Sequence, residues 1–328
     1  MVSHIEMTWK QQLKNSYSNI DDLLQFLKLD GTKFNIDKNS KFPFKVTQHF
    51  ANQIEKKNWN DPLLKQILPI IDEKKKVLKY ILDPLSESKA NILPGMLQKY
   101  SSRVLLIVTK SCAIHCRYCF RKSFNYLANQ INKKQWKIVF KYIKKNKEIY
   151  EIILSGGDPL MLNDEHIKYF IKEISKISHI KILRIHSRLP VVLPDRLTES
   201  LLYALHKFPY TIVLVIHANH ANELSKSVIY KLIKYREGGL ILLNQSVFLK
   251  GINDCQKILS DLSKKLFKAG VLPYYLHILD PVEGVSHFKE STKKAKKIIE
   301  IMRKSLPGYL VPRLCKELSG KSSKTILM

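Results

Sequence analysis

From residue 103 onward, six short β-rich runs recur roughly every 25 to 50 residues, at 103–109, 151–154, 182–187, 211–217, 240–246 and 272–279. Apolar residues at helical spacing fill the gaps between them. Trp136, Val139, Phe140 and Ile143 share one face, Ile167, Phe170, Ile171 and Ile174 a second, and Leu259, Leu262 and Leu266 a third. Continuously apolar strands alternating with such helices predict a parallel sheet buried on both sides, because each parallel pair needs a crossover element that then covers the sheet. Six units fall short of a closed eight-fold barrel. An open partial (β/α)6 barrel or a doubly wound sheet is left, an α/β fold either way.

Residues 1–97 carry a different pattern. Ser18 is placed to cap a helix with Ile20, Leu23, Leu24 and Leu27 on one face. Further helical turns are expected near Phe50 and Ile54, and after Asp61-Pro62. Pro84, Pro94 and Gly95 then interrupt an extended approach to the first β run. The expected organisation is a helical segment over residues 1–97, a core barrel over 98–321, and a tail over 322–328.

Polar and reactive residues collect where the β runs end. Three cysteines follow the first run and Ser155-Gly156-Gly157-Asp158 follows the second. Ser187-Arg188 follows the third, and His217, Asn219 and His220 the fourth. Asn244-Gln245-Ser246 closes the fifth run, and His277 and Asp280 close the sixth. Parallel α/β folds build their active sites at the carboxyl ends of the strands, so these clusters are expected to converge.

Bulk properties narrow the setting. The chain has 45% hydrophobic and 26% charged residues, as folded soluble domains do. No apolar run approaches the roughly 18 residues of a membrane span, and the amino terminus lacks a basic-then-apolar leader profile. Of five cysteines, Cys255 and Cys315 stand alone, which argues against a disulfide framework and for a reducing, cytoplasmic setting. Cys255 reads as a buried helix residue. The formal charge of +28 would suit nucleic acid, but its lysines are spread along the chain amid abundant Ile and Asn, as AT-biased codon use would give. The runs at Lys74-Lys75-Lys76 and Lys144-Lys145 are expected on solvated helix surfaces.

Cys112, Cys116 and Cys119 form a C-x3-C-x2-C loop. Thiolates suit zinc or iron–sulfur clusters. A structural zinc site commonly takes four ligands from two short arms, and no second cysteine pair is present. Three thiolates on a four-iron cluster would leave one iron open, whereas a zinc loop completed by His115 is the alternative.

This cysteine loop, with Tyr118 before its third cysteine, resembles the signature of the radical S-adenosylmethionine (SAM) superfamily, whose fold is a partial six-fold (β/α) barrel. A narrower likeness covers residue 94 to the end. Pro94-Gly95, Tyr100, Arg103-Val104-Leu105-Leu106, Cys116-Arg117-Tyr118-Cys119, Pro190-Val191-Val192, Asn244-Gln245-Ser246-Val247 and Pro273-Tyr274-Tyr275 all look like lysine 2,3-aminomutases. The tail, Gly308-Tyr309-Leu310-Val311-Pro312 with Ser323-Lys324-Thr325, resembles the short branch that acts in elongation factor P modification, and the helical amino-terminal segment looks similar too.

The resemblance implies an isomerase converting (S)-α-lysine to (R)-β-lysine, which a partner ligase attaches to elongation factor P. It implies a [4Fe-4S] cluster on Cys112, Cys116 and Cys119, with the open iron chelating SAM, and a flavodoxin- or ferredoxin-type reductant. Ser155, Gly156, Gly157 and Asp158 would lie beside the SAM amino group, with His217 and Gln245 as further cofactor contacts. Pyridoxal 5′-phosphate (PLP) would join Lys324 as a Schiff base, with Tyr100 and Arg103 against it. Arg121 would take the substrate carboxylate, and Asp280 and Glu317 its distal ammonium.

Three positions depart from the clostridial relatives: Lys99 and Glu317 stand where those enzymes have arginine and aspartate, and His277 where they have tyrosine. Those relatives also have a longer, zinc-binding extension, so no zinc and a simpler assembly are expected here. The rival functions are a radical enzyme modifying RNA or protein, and a non-catalytic metal-binding module.

Overall fold

The computed structural model describes residues 7–321 and 323–328. Residues 1–6, which bear on the leader profile, and Ser322, at the head of the expected tail, lie outside them.

The amino-terminal segment opens with α1 (Trp9–Lys14) and α2 (Ile20–Leu27). The cap of α2 is Asn19, one residue beyond Ser18, and its side chain accepts the Asp21 N–H at 2.8 Å. Asn caps at least as well as Ser, and starting there keeps Ile20, Leu23, Leu24 and Leu27 buried together. Two single turns follow, α3 (Gln48–Ala51) and α4 (Pro62–Lys65). The rest is largely irregular chain, and the segment's apolar side chains, Phe50, Leu63, Leu64 and Ile67 among them, join the same core as the barrel. Residues 74–76 lie at the end of a 3₁₀ turn (Ile71–Lys74) and in the loop beyond, not on a helix face.

Two short strands, β1 (Asn91–Leu93) and β2 (Met96–Tyr100), then form a hairpin around Pro94 and Gly95, where Gly95 takes the left-handed φ of 79° that the turn requires. β2 pairs antiparallel with β3 (Arg103–Thr109), so the boundary expected at residue 97 falls inside a strand.

From β3 the expected rhythm is present. α5 (Lys133–Lys145) leads to β4 (Glu151–Gly156), and α6 (Asp164–Ser175) to β5 (Ile182–Ser187). A short turn α7 (Leu189–Val192) and α8 (Glu199–Leu205) lead to β6 (Thr211–Ile216), and α9 (Lys226–Glu237) leads to β7 (Ile241–Phe248). α10 (Gln256–Lys268) leads to β8 (Leu272–Ile278). Each strand from β3 to β8 pairs in parallel with the next. All six residues of β4 are buried, as a strand covered on both faces must be. Cys255 departs from its expected place: it is exposed, at the cap position of α10, before the buried face begins.

The chain ends by extending the sheet. After α11 (Thr292–Ser305), β9 (Arg313–Lys316) adds in parallel to β8, and β10 (Thr325–Ile326) turns back antiparallel on β9. Among the described residues the sheet therefore has ten strands in sequential order, of which β3 to β9 are parallel. This is an open α/β partial barrel with two hairpins added to its edges.

Candidate active site

A cavity of about 790 Å3 opens at the carboxyl ends of the parallel strands. The cofactor and substrate residues that the resemblance implies all line it: Cys112, Cys116 and Cys119, Ser155 to Asp158, His217, Gln245, Tyr100, Arg103, Arg121, Asp280, Glu317 and Lys324; of the strand-end clusters, Asn219, His220, Asn244 and Ser246 do not.

The cysteine loop leaves β3 and is braced by the amino-terminal segment. Arg117, fully buried, donates from Nε and Nη2 to the two carboxylate oxygens of Glu73 at 2.7 and 2.6 Å. It also reaches the Phe42 carbonyl and the Ser40 hydroxyl, while its backbone N–H meets the Gln66 carbonyl. The segment that showed no chemistry in the sequence thus fixes the loop that does. Burial, then the charge of neighbouring groups, pushes the Cys112 thiol well above the ordinary thiol range and that of Cys119 up to about 11. Such thiols need a cation to be held as thiolates. Among the described residues no three Cys, His, Asp or Glu side chains converge as ligands of a single ion. A four-iron cluster does not ask for that, since each thiolate binds a separate iron.

Arg188, at the end of β5, sits against this loop. Its Nη1 donates to Cys116 Sγ at 2.6 Å, and its Nη2 to Gln66 Oε1 and Glu223 Oε2 at 2.7 and 2.9 Å. Glu223 and Gln66 are fully buried and share further bonds with Asn219. Tyr118 completes the network, its hydroxyl 3.2 Å from His217 Nε2.

The Gly156-Gly157 pair is required by the chain's own packing. A Cβ on Gly156 would stand 2.4 Å from the Thr109 carbonyl oxygen, and one on Gly157 the same distance from that of Ser111. Gly156 also has a φ of 122°. The glycines let the end of β4 press against the backbone entering the cysteine loop. Asp158 is fully engaged: it accepts from Leu160 N and Ser187 Oγ on one oxygen, and from Arg188 N and Leu189 N on the other. It ties the β4 turn to the β5 turn. Ser155 Oγ accepts from Arg121 Nη1 at 2.9 Å.

Alternating charges run through the rest of the cavity. Arg121 donates from Nε and Nη2 to the carboxylate of Glu87, at 2.7 and 2.8 Å. Lys99 Nζ lies 3.7 Å from Glu87 and 2.8 Å from Glu317, and Lys324 Nζ lies 2.5 Å from the other oxygen of Glu317. Asp280 stands outside this chain of pairs with a buried Oδ1 that has no protein partner. Burial, then the charge of Glu317, push its carboxyl up to about 7. His186 Nε2, Gln245 Nε2 and His277 Nε2 are likewise buried without partners. Arg103 stacks over the Tyr100 ring at 4.0 Å. Glu87, His186 and Glu223 carry no local sequence signal, since only the folded chain brings them to the site.

A family model described as the radical SAM superfamily matches residues 106–258. The L-lysine 2,3-aminomutase of Buchnera aphidicola subsp. Baizongia pistaciae is 44% identical over 319 residues, 96% of this chain and 94% of that protein. The protein of the same description from Escherichia coli K12 is 42% identical, over 97% of this chain and 94% of its own length. The chain belongs to the lysine 2,3-aminomutase family. The clostridial branch is more distant: the L-lysine 2,3-aminomutase of Clostridium subterminale is 33% identical, over 98% of this chain and 77% of that protein.

As a lysine 2,3-aminomutase family member the chain is an isomerase, and its cofactors are a [4Fe-4S] cluster, SAM and PLP. The residues present fit all three. Three thiols from one loop match a cluster with one open iron. The unpartnered His186, Gln245, His277 and Asp280 atoms show a cavity shaped for polar ligands that the protein alone does not satisfy. Arg103 and Lys99 are cations of the kind that would hold a phosphate, and Lys324, whose amine could form a Schiff base, lines the same cavity. Among the described residues no helix is long and apolar enough to cross a membrane.

Proposed function

We propose that this protein moves the amino group of L-lysine from C2 to C3, giving (R)-β-lysine. One observation carries the choice of substrate: a single cavity gathers the guanidinium of Arg121, the carboxylates of Asp280 and Glu317, and the amine of Lys324. A molecule with a carboxylate at one end and an ammonium at the other complements that arrangement.

In this proposal Cys112, Cys116 and Cys119 hold the cluster. The Ser155–Asp158 turn, His217 and Gln245 surround SAM, with Asp158 acting through the turn it ties rather than through its engaged carboxylate. Tyr100 and Arg103 hold PLP beside Lys324. When bound, these groups supply the radical and the electron sink that the shift needs. The chain's own residues orient the substrate: Arg121 receives its carboxylate, and Asp280 and Glu317 its distal ammonium. Held at both ends, lysine offers its C2–C3 bond in one geometry, which is the protein's main contribution to rate.

We further propose that the product serves β-lysylation of elongation factor P in the cytoplasm, through a partner ligase, with electrons from a flavodoxin- or ferredoxin-type protein. The support is the resemblance of the tail, where Ser323-Lys324-Thr325 leads into β10.

Anaerobic incubation with L-lysine, SAM, PLP and a reductant, followed by chiral amino-acid analysis, tests the first proposal. (R)-β-lysine is expected, and none from Lys324→Ala. An enzyme modifying RNA or protein would instead keep its activity in Lys324→Ala. Adding the ligase and elongation factor P tests the second: the factor should gain the mass of one lysyl unit only when the mutase is active.

A further inference from the structure

Glu87 is the one carboxylate in the cavity to which the lysine reading gives no task, yet it has the closest relation to Arg121. A guanidinium has five N–H donors. Nε and Nη2 of Arg121 meet Glu87, and Nη1 meets Ser155. One N–H therefore remains on each terminal nitrogen, a pair that matches the two oxygens of a carboxylate.

Glu87 is itself held in place. Asp83 accepts the backbone N–H of Glu87 at 2.8 Å, and the N–H and hydroxyl of Ser88 at 3.0 and 2.7 Å. Ser86 adopts the left-handed region at φ 50°, and its hydroxyl receives that of Ser319. A turn of this kind persists only where its surroundings dictate it. Glu87 and Arg121 are 4% and 8% exposed, and Arg121 also lies over the Phe120 ring at 4.9 Å. Breaking so buried a pair would leave both charges poorly solvated, which favours Glu87 staying on Arg121 when substrate arrives.

We propose that Glu87 is a positioning residue for substrate recognition. It fixes the Arg121 guanidinium by one edge, so that the Nη1–Nη2 pair alone is offered to the carboxylate of the incoming amino acid. This rests on the reading of Arg121 as the carboxylate site.

The test compares two ligands on the holoenzyme by calorimetry: L-lysine, and 1,5-diaminopentane, which keeps both ammonium groups and lacks the carboxylate. In Glu87→Gln an amide N–H faces an arginine donor, so the guanidinium turns. L-lysine should weaken roughly tenfold or more, the scale of one charged hydrogen bond, with diaminopentane changed less than about twofold. Glu87→Asp should fall between wild type and Glu87→Gln for L-lysine, and the absorbance of bound PLP should not change. Unchanged L-lysine affinity, or equal loss for both ligands, would overturn the proposal. Should Glu87→Gln not fold, the same two ligands on Glu87→Asp decide: selective loss supports it and parallel loss overturns it. Arg121→Lys separates the two levels. If it leaves L-lysine binding intact, the carboxylate-site reading fails and the role of Glu87 with it; if it weakens L-lysine while Glu87→Gln does not, only the role of Glu87 fails.

Discussion

Lys324 Nζ lies 2.5 Å from Glu317 Oε2 across the base of the last hairpin, where Thr325 pairs with Lys316. Burial works against both charges, but each holds the other. Glu317 keeps the Lys324 ammonium above the ordinary lysine range, and Lys324, then Lys99, draw Glu317 down to about 2. On the proposed role of Lys324, the amine that captures PLP is thus stored in its unreactive, protonated form.

Glu317→Gln should therefore speed PLP capture. With the carboxylate gone, burial dominates and the amine loses its proton more readily, so the reactive fraction at neutral pH rises roughly tenfold for each unit that the pKa falls. Stopped-flow absorbance of PLP binding measures this. An unchanged or slower rate would show that Glu317 does not restrain Lys324.

Asp280 should give binding a pH profile. Its folded pKa is raised, from 3.8 to about 7, so the ligand-free protein keeps a proton there that the unfolded chain has released. The residue's contribution to stability consequently declines as pH rises through that window. An ammonium beside Asp280 favours the ionised form, so L-lysine affinity should drop as pH falls below about 7, roughly tenfold per unit. Asp280→Asn should bind weakly with a flat profile. Calorimetry across this range checks both.

Gly157→Ala should injure the cluster site from a distance. The new Cβ would sit 2.4 Å from the Ser111 carbonyl oxygen and 2.7 Å from Lys110 backbone atoms, one and two residues before Cys112. Backbone must move, at a cost of about 1–3 kcal/mol. A lower melting temperature together with reduced iron per chain after reconstitution is expected; full iron content would contradict it.

The sequence made the middle of this molecule readable and left its edges obscure. β3, β4 and β6 are almost continuously apolar, β5, β7 and β8 are apolar runs with polar residues among them, and helices with clean buried faces separate them, so their positions follow from periodicity. β1, β2, β9 and β10 have only 3, 5, 4 and 2 residues, too few to show a pattern, and they exist because β3 and β8 offer open edges. Each strand-end cluster sends at least one residue to the cavity, though Asn219, His220, Asn244 and Ser246 do not line it. Glu87 escaped notice because it lies in a segment without regular structure, and its meeting with Arg121 depends on the β1–β2 hairpin folding back. Only the resemblance singles out Lys324, since nothing local separates it from the other lysines.

Glu223→Gln should be strongly destabilising. Glu223 is fully buried and accepts from Asn219 N, His220 N, Gln66 Nε2 and Arg188 Nη2. Its loss leaves Arg188 charged and underpaired beside Cys116, and breaking a buried pair costs about 3–5 kcal/mol. Denaturant unfolding reads the change, and a loss under about 1 kcal/mol would place the pair in the range of exposed ones.

The central claim is an amino shift within one lysine molecule, and isotopic labelling reads it directly. L-lysine carrying 15N on C2 and 13C at C3 is incubated anaerobically with the reconstituted enzyme, SAM, PLP and reductant, and followed by 13C NMR. A new one-bond 13C–15N coupling at C3 is predicted. Recovery of unshifted lysine alone, or of product that has lost its 15N, from protein with cluster and PLP both in place would contradict it.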